Sequence, residues 1–161
     1  MSTMDKPIND LIKNLPQTGI VHWIGIRPER KQPLQEVNTV EVTEEKGLVG
    51  DHYSARSNKR QVTLIQQVHL DAVSSFMDTD VTPFMTRRNI VVKGINLFAL
   101  RDVQFQIGEV VLEGTGYCHP CSRMEENLGP GGYNAMRGHG GITARVVIGG
   151  KIKVGDEIRL K

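Results

Sequence analysis

The chain has 161 residues, of which 39% are hydrophobic and 24% charged, and its formal net charge is +2. This length allows one domain with a substantial core, and the composition is that of a soluble globular protein. No run approaches the roughly 20 apolar residues of a membrane helix, and so small a net charge does not favour nucleic-acid binding. The N-terminus lacks a secretion-signal pattern, so we expect a cytoplasmic protein with neither a nucleic-acid nor a membrane partner.

The predicted elements, in chain order, begin with a short amphipathic turn in residues 1–19, interpreted as an N-terminal extension before a domain over residues 20–161. Apolar periodicity then predicts about eight short strands and two helices, the first over residues 66–78 and the second beginning near Cys121. Gly149 and Gly150 predict a tight hairpin between the strands on either side. The predicted strands lie at residues 20–26, 37–42, 60–65, 87–92, 103–107, 110–113, 142–148, 151–154 and 157–160.

Strands outnumber helices in this prediction, and no regular βαβ alternation is present. The expected fold class is therefore mainly β (α+β), a barrel of mostly antiparallel strands with a few helices packed on it.

The segment GTGYCHPCSRMEE, residues 114–126, holds the only two cysteines of the chain, Cys118 and Cys121. It follows a strand-like run and precedes a helix-like one. A thiol at a helix N-terminus faces unpaired backbone N–H groups and the positive end of the helix dipole, and both stabilise a thiolate. Cys121, the nearer of the two to the helix, is therefore the best candidate nucleophile or metal ligand, and Arg123 can add to the same field.

The CxxC spacing has three other interpretations. A structural zinc site needs further ligands, but the histidines are scattered and no second CxxC exists. A thioredoxin-like redox pair belongs to a βαβ pattern that this β-rich chain lacks. The third alternative is a pair of small buried side chains, against which the surrounding glycines, proline and polar residues predict partial exposure.

Short basic clusters at residues 56–60 and at Arg87 and Arg88 suit a small anionic ligand, although solvated loop charges would give the same pattern. Alternation along a strand would place Arg87 and Asn89 on one face, where they could clamp an anionic ligand. The alternative is a salt bridge at the barrel rim. The glycine-rich stretches 129–132 and 138–141 lack phosphate-loop patterns, which favours turns or a lid. No GxSxG elbow or HExxH is present, so hydrolytic chemistry is disfavoured.

Five segments resemble, in order and spacing, the MOSC domain, the module named from the C-terminus of molybdenum cofactor sulfurases. The resemblance is to its stand-alone bacterial type and runs from about Ile20 to the C-terminus. A pyridoxal-phosphate lyase domain and the N-terminal barrel domain of amidoxime-reducing relatives have no counterpart here. The matching segments are GLVGDH (47–52), RQVTLI (60–65), RRNIVVKGINL (87–97), FQIGEVVLEGTGYCHPC (105–121) and ARVVIGGKIKVGDEI (144–158).

The resemblance implies a β-barrel that binds the molybdenum cofactor, a molybdopterin, with one cysteine that ligates molybdenum or carries sulfur as a persulfide. By position, Cys121 matches this catalytic and metal-ligating residue. Arg87 and Asn89 match the family's arginine and asparagine beside the cofactor. Arg60 and His52 lie in the matching earlier segments and are further cofactor-binding candidates.

The implied function is reduction of an N-hydroxylated small-molecule substrate, a base or an amidoxime, with electrons from a separate redox protein. One alternative is a sulfur carrier that receives sulfur from a donor protein, holds it as a persulfide on Cys121 and hands it on without turnover of its own. A further alternative is a zinc-binding or purely structural domain.

Overall fold

A computed structural model describes residues 7–52 and 58–161. Within these residues the chain forms eleven strands, β1 to β11, and five helices, α1 to α5, with 3₁₀ turns at Asn58–Arg60 and Leu97–Leu100. The elements are β1 Gly19–Ile26, β2 Gln35–Val37, β3 Thr39–Thr43, β4 Gly47–Leu48, β5 Val62–Gln66, β6 Ile90–Lys93, β7 Gln104–Ile107, β8 Val110–Tyr117, β9 Ile142–Ile148, β10 Gly150–Lys153, β11 Glu157–Leu160, α1 Ile8–Ile12, α2 Gln67–Met77, α3 Pro83–Thr86, α4 Ser122–Leu128 and α5 Gly132–Met136.

Seven of these strands close into a barrel in the order β11-β7-β8-β9-β5-β6-β1, because β1 also pairs with β11. Strand β2 extends the sheet beyond β1. The pairing of β5 with β6 is parallel, whereas the other pairings within this sheet are antiparallel. A parallel pair needs a crossover connection, which α2 and α3 provide here. The expected mainly β barrel with helices packed on it is confirmed.

The prediction of a hairpin at Gly149 and Gly150 is wrong, because the strands on either side do not pair with each other. Strand β10 leaves β9 and pairs with β3, forming a separate three-stranded sheet with β4. A Cβ atom on Gly149 would lie 2.5 Å from the carbonyl oxygen of Val42. Glycine is therefore required here for close approach to β3, and the two glycines mark a change of sheet instead of a turn.

The strand predicted over residues 87–92 begins three residues later than expected. Arg87 is the C-cap of α3, with φ 61 in the left-handed region, and β6 starts only at Ile90. Arg87 and Asn89 therefore do not alternate along a strand, and the face-sharing argument fails for them. Arg60 likewise belongs to a 3₁₀ turn before β5.

One other predicted segment is divided. The strand predicted over 37–42 forms β2 and β3, which join different sheets. Between the two glycine-rich stretches predicted as turns or a lid, 129–132 and 138–141, the chain forms α5, which begins at Gly132.

Two hydrophobic cores lie on opposite faces of the barrel wall. Leu64 points into the barrel and its neighbour Ile65 points outward, and neither is exposed to solvent. The outer core packs Trp23, Ile65 and Val91 of the wall against α2, α4 and α5. Each fully buried aliphatic side chain stabilises the fold by about 1.5–3 kcal/mol. Strand β5, buried on both faces, is therefore a firm wall on which a site can be positioned.

Helix α1 lies outside these cores and buries none of its residues. After it, Leu15 packs partly against the barrel interior. Among the described residues, no helix combines the length and the apolar character needed to cross a membrane.

Candidate functional site

A cavity of about 290 Å³ lies on the outer face of the barrel wall, near the end of β1, the starts of β5 and β6, and the beginning of α4. We call it the site cavity. Thr63 of β5 lines it, whereas the adjacent Val62 and Leu64 belong to the barrel interior. The lining residues are Arg27, Arg30, Leu34, Asp51, His52, Arg60, Thr63, Arg87, Arg88, Asn89, Cys118, Cys121, Arg123 and Met124.

The residues predicted from the sequence converge on this cavity. Cys121, Arg87, Asn89, Arg60 and His52 all line it, although they come from four separate parts of the chain. Their roles as ligands remain predictions. Of the basic cluster predicted at residues 56–60, residues 56 and 57 lie outside the described residues.

The charge of the site cavity is strongly positive. Its lining includes six arginines and a single carboxylate, Asp51. Burial lowers the pKa of Arg27 and the nearby Arg123 lowers it further, while Asp51 opposes both effects. A guanidinium nevertheless stays protonated at neutral pH. Because a cleft concentrates the field of such charges, the cavity suits an anionic ligand with several acceptor oxygens.

Two buried donors in this lining have no hydrogen-bond partner among the described residues. They are Nε of Arg27 and Nη2 of Arg87, and both atoms are buried. A buried unpaired donor costs about 1–3 kcal/mol, and more when it is charged. The left-handed backbone of Arg87 adds strain of order 1–3 kcal/mol. Both arginines are therefore held at some cost in positions where a ligand oxygen would pair with them.

Arg88 plays a different part. It is buried, and its side chain donates to three backbone carbonyl oxygens, those of Thr86 at 2.9 Å, Gly140 at 2.8 Å and Cys118 at 3.4 Å. The neighbouring residues Arg87 and Arg88 thus have different roles. Arg88 braces the cysteine segment against the glycine-rich loop, while Arg87 keeps a donor unpaired.

The side chain of Asn89 is used within the protein. Its Oδ1 accepts from the N–H of Thr63 at 3.2 Å and from the Thr63 hydroxyl at 3.0 Å. Its Nδ2 donates to the carbonyl oxygen of Gly25 at 3.1 Å and to Oδ1 of Asp51 at 3.4 Å. The same Asp51 oxygen accepts from the backbone N–H of Arg27 at 2.8 Å. Asn89 therefore lines the cavity but mainly joins β1, β5 and the Arg27 segment.

The two cysteines differ in exposure and in anchoring. Cys118 is 3% exposed, its N–H donates to the carbonyl oxygen of Gly141, and Nη2 of Arg60 lies 3.8 Å from its sulfur. Cys121 is exposed and is the N-cap of α4, with no capping bond from its side chain. The helix predicted to begin near Cys121 is confirmed. Cys121 thus carries the accessible sulfur, and Cys118 is the anchored one.

Comparison with known proteins identifies the family. The model of the MOSC domain matches residues 25–159. The chain belongs to the MOSC domain family. A search of curated proteins gave no match.

Solved structures share the fold of this MOSC domain at low sequence identity. YuaD from Bacillus subtilis is 17% identical, with a TM-score of 0.79 over 90% of this chain and 97% of that one. YiiM from Geobacillus stearothermophilus is 16% identical, with a TM-score of 0.71 over 89% and 75% of the two chains. YiiM from Escherichia coli is also 16% identical, with a TM-score of 0.68 over 88% and 69%.

The described residues of this MOSC domain contain no group of three or more histidine, cysteine, aspartate or glutamate side chains arranged to hold a metal ion. The zinc alternative therefore has no ligand cluster within residues 7–52 and 58–161.

Sequence reasoning missed Arg27 and Arg30, which come directly after the first predicted strand, residues 20–26. Arg27 directly follows β1, which runs antiparallel to β6, so the end of β1 lies beside the start of β6. The available signal was the RPER sequence immediately after an apolar strand. It became informative only once the pairing of β1 with β6 was known.

Proposed function

We propose that this MOSC domain binds a molybdenum-containing pterin cofactor in the site cavity and reduces N-hydroxylated small molecules with electrons from a separate redox protein. One observation carries the proposal. The buried, unpaired guanidinium N–H groups of Arg27 and Arg87 belong to the same cavity as the exposed thiol of Cys121.

The chemistry of the lining suits such a cofactor. A guanidinium binds a phosphate through parallel, charge-assisted hydrogen bonds, and Arg27 and Arg87 have donors to offer. A thiolate is a soft ligand that suits a thiophilic metal, and Cys121 is accessible to one. The excess of arginines over Asp51 also offsets the negative charge that the cofactor brings.

Each residue then has a stated part. Cys121 would ligate the metal, and Arg27 and Arg87 would hold the phosphate. Asp51 and Asn89 position the Arg27 backbone through the Asp51 carboxylate. The cofactor, when bound, supplies two-electron redox chemistry. In the overall reaction the N–O bond breaks, and two electrons and two protons convert R₂N–OH to R₂NH and water.

Metal and pterin analysis tests the proposal. The protein, purified from a molybdenum-replete host, should contain both molybdenum and pterin. Cys121→Ser should lose the metal, whereas Cys118→Ser should keep most of it. Equal loss from both variants would count against Cys121 as the ligand.

Variants of the two arginines test the proposed phosphate contacts. Arg27→Gln and Arg87→Gln should each lower the pterin content, while Arg159→Gln, at an exposed position on β11 outside the cavity, should not. Pterin retained in both cavity variants would contradict the assigned phosphate site.

The alternative, a sulfur carrier, is favoured by the exposure of Cys121, because a partner protein could reach a persulfide there. Mass spectrometry of gently isolated protein separates the two functions. An added sulfur atom on Cys121, without bound metal, would support the carrier and contradict the reductase.

A further inference from the structure

Six aromatic and imidazole rings touch one another in a continuous row over the surface of the protein, outside the site cavity. We call this row the aromatic stripe. It begins on α2, passes the glycine-rich loop before β9 and the 3₁₀ turn at Leu97–Leu100, and ends in the cysteine segment. Adjacent ring centroids are 4.7–6.4 Å apart in the order Phe76, His139, His69, Phe98, Tyr117 and His119.

Much of the aromatic stripe is open to solvent. The exposed fraction is 61% for Phe76, 36% for Phe98 and 40% for Tyr117. Apolar groups that are exposed singly need no explanation, but contiguous ones mark interaction surfaces. Because each ring packs on its neighbours, a partner that covers the row orders few side chains that were mobile before. The stripe therefore has the aromatic composition and the local order of a protein-binding surface.

The position of the stripe restricts what can bind there. Tyr117 and His119 lie on either side of Cys118 in the sequence, and Cys121 follows two residues after His119. None of the six rings lines the site cavity. A partner on the stripe would therefore lie next to the cysteine segment while leaving the lining of the cavity free for small molecules.

The charges beside the stripe are mainly positive. The guanidinium of Arg101 lies 4.7 Å from the centroid of the Tyr117 ring, where a cation is favoured. The exposed Arg137 precedes His139 by two residues. Asp102 pairs with Arg101 at 3.6 Å, but no acidic residue is a chain neighbour of any of the six rings. A partner with an acidic face would complement this surface.

We propose that the aromatic stripe is the docking surface of the electron donor, and that this donor is a small redox protein with an acidic face. The inference rests on the proposed function and names the partner of the same site. The proposed reduction consumes two electrons, and the protein that supplies them has to dock close to Cys121. Complementary charge speeds and orients such an encounter, and exposed aromatic rings supply the apolar contact.

Binding measured without turnover tests this surface. The protein as isolated, with its molybdenum and pterin content determined, is titrated with a plant-type ferredoxin and with a flavodoxin, both of which are small acidic electron carriers. At least one carrier should bind. Raising the salt concentration from about 0.02 M to about 0.2 M should weaken that binding severalfold. Failure of both carriers to bind at low salt would overturn the inference.

Variants of the stripe locate the contact. Phe98→Ser, at the centre of the row, and Arg101→Gln should each weaken carrier binding at least about fivefold. Tyr133→Ser and Arg159→Gln are the matched controls, because both positions are exposed and outside the stripe. Urea unfolding checks that each variant is folded, and Phe76→Ser, at the most exposed ring, replaces Phe98→Ser if that variant is not. Equal affinities in the stripe variants and their controls would contradict the docking surface.

A second copy of this chain is the other candidate occupant of the stripe. Sedimentation velocity of the unmodified protein and of Phe98→Ser distinguishes the two. We expect the same sedimentation coefficient for both proteins. Self-association that Phe98→Ser abolishes would assign the stripe to contact between copies and overturn its assignment to the donor.

The two proposals fail in different ways. Stripe-dependent binding of a carrier by a protein that holds neither molybdenum nor pterin would support the docking surface and overturn the proposed reductase. Molybdenum and pterin in a protein whose carrier affinity is the same with and without Phe98→Ser would support the cofactor site and overturn the docking surface.

Discussion

Nε of Arg88 donates to the carbonyl oxygen of Gly140 at 2.8 Å, and this bond joins the segment before β6 to the glycine-rich loop before β9. The same side chain reaches the carbonyl oxygen of Cys118. A Cβ atom on Gly140 would lie only 2.0 Å from that Cys118 oxygen, so a side chain there would displace the cysteine segment. The position of the CxxC segment therefore depends on a buried arginine and a glycine that are distant in sequence.

Arg88→Gln should lower the free energy of unfolding by about 2–4 kcal/mol, because hydrogen bonds from a charged donor contribute about 1.5–3 kcal/mol each and three carbonyls lose theirs. Urea unfolding measures the loss. Arg101→Gln is the control, since Arg101 is exposed and its ion pair with Asp102 is worth little. Equal losses in the two variants would refute the bracing role of Arg88.

Asn89→Ala should also destabilise the protein by about 2–4 kcal/mol, even without cofactor, because Thr63 and Gly25 would lose buried hydrogen-bond partners. Thermal or urea unfolding of cofactor-free protein tests this. A variant that lost cofactor but kept its full stability would show that Asn89 acts mainly on the ligand.

Arg87→Gly, unlike Asn89→Ala, should not destabilise the protein. Glycine adopts φ 61 without strain and removes the buried unpaired donor, while its greater flexibility in the unfolded chain costs about 1 kcal/mol, so the free energy of unfolding should be unchanged or slightly higher. Stabilisation by inorganic phosphate, seen as a rise in Tm at constant ionic strength, should however be weakened. Arg159→Gln should keep the full phosphate effect. A Tm rise in Arg87→Gly that equals that of the unmodified protein would contradict an oxyanion site at Arg87.

Cys121 should react with iodoacetamide at least about tenfold faster than Cys118, because Cys121 is exposed and Cys118 is 3% exposed. Peptide mass spectrometry after timed alkylation gives both rates. In denaturant the two rates should become similar, which serves as the control. Faster alkylation of Cys118 in the folded protein would reverse the assignment of the accessible sulfur.

Stability should fall as pH falls below about 6.5. Burial lowers the pKa of His69 below its usual 6.5, and the neighbouring His139 lowers it further. The unfolded chain therefore takes up the proton first, so acid favours unfolding down to the lowered pKa of the folded state. His69→Phe keeps the ring contacts with Phe98 and His139 but removes this titration.

To test this, the free energy of unfolding is measured between about pH 7 and about pH 5, and its slope against pH is compared between the unmodified protein and its variants. His69→Phe should flatten it, and His22→Gln, at an exposed position on β1, should leave it unchanged. An unaltered slope in His69→Phe would rule out His69 as the source.

Local pattern was sufficient for much of the secondary structure. The strands at Ile142–Ile148 and Glu157–Leu160 have the predicted bounds, and the helix after Cys121 begins where its turn signals place it. Strand pairing was harder to predict from the sequence, as the wrong hairpin prediction at Gly149 and Gly150 shows. Alternation tells which face of a strand is apolar, but it does not say which other strand lies beside it.

By itself, the sequence determined a mainly β barrel with packed helices and a cysteine at the start of a helix, because hydrophobic periodicity and turn residues act over short distances. Tertiary structure alone decided that Arg27 and Arg87 line the same cavity and that the side-chain amide of Asn89 is hydrogen-bonded to Thr63 and Gly25. These outcomes depend on barrel closure and on competition among buried polar groups for partners. Both involve residues far apart in the chain, so no local pattern encodes them.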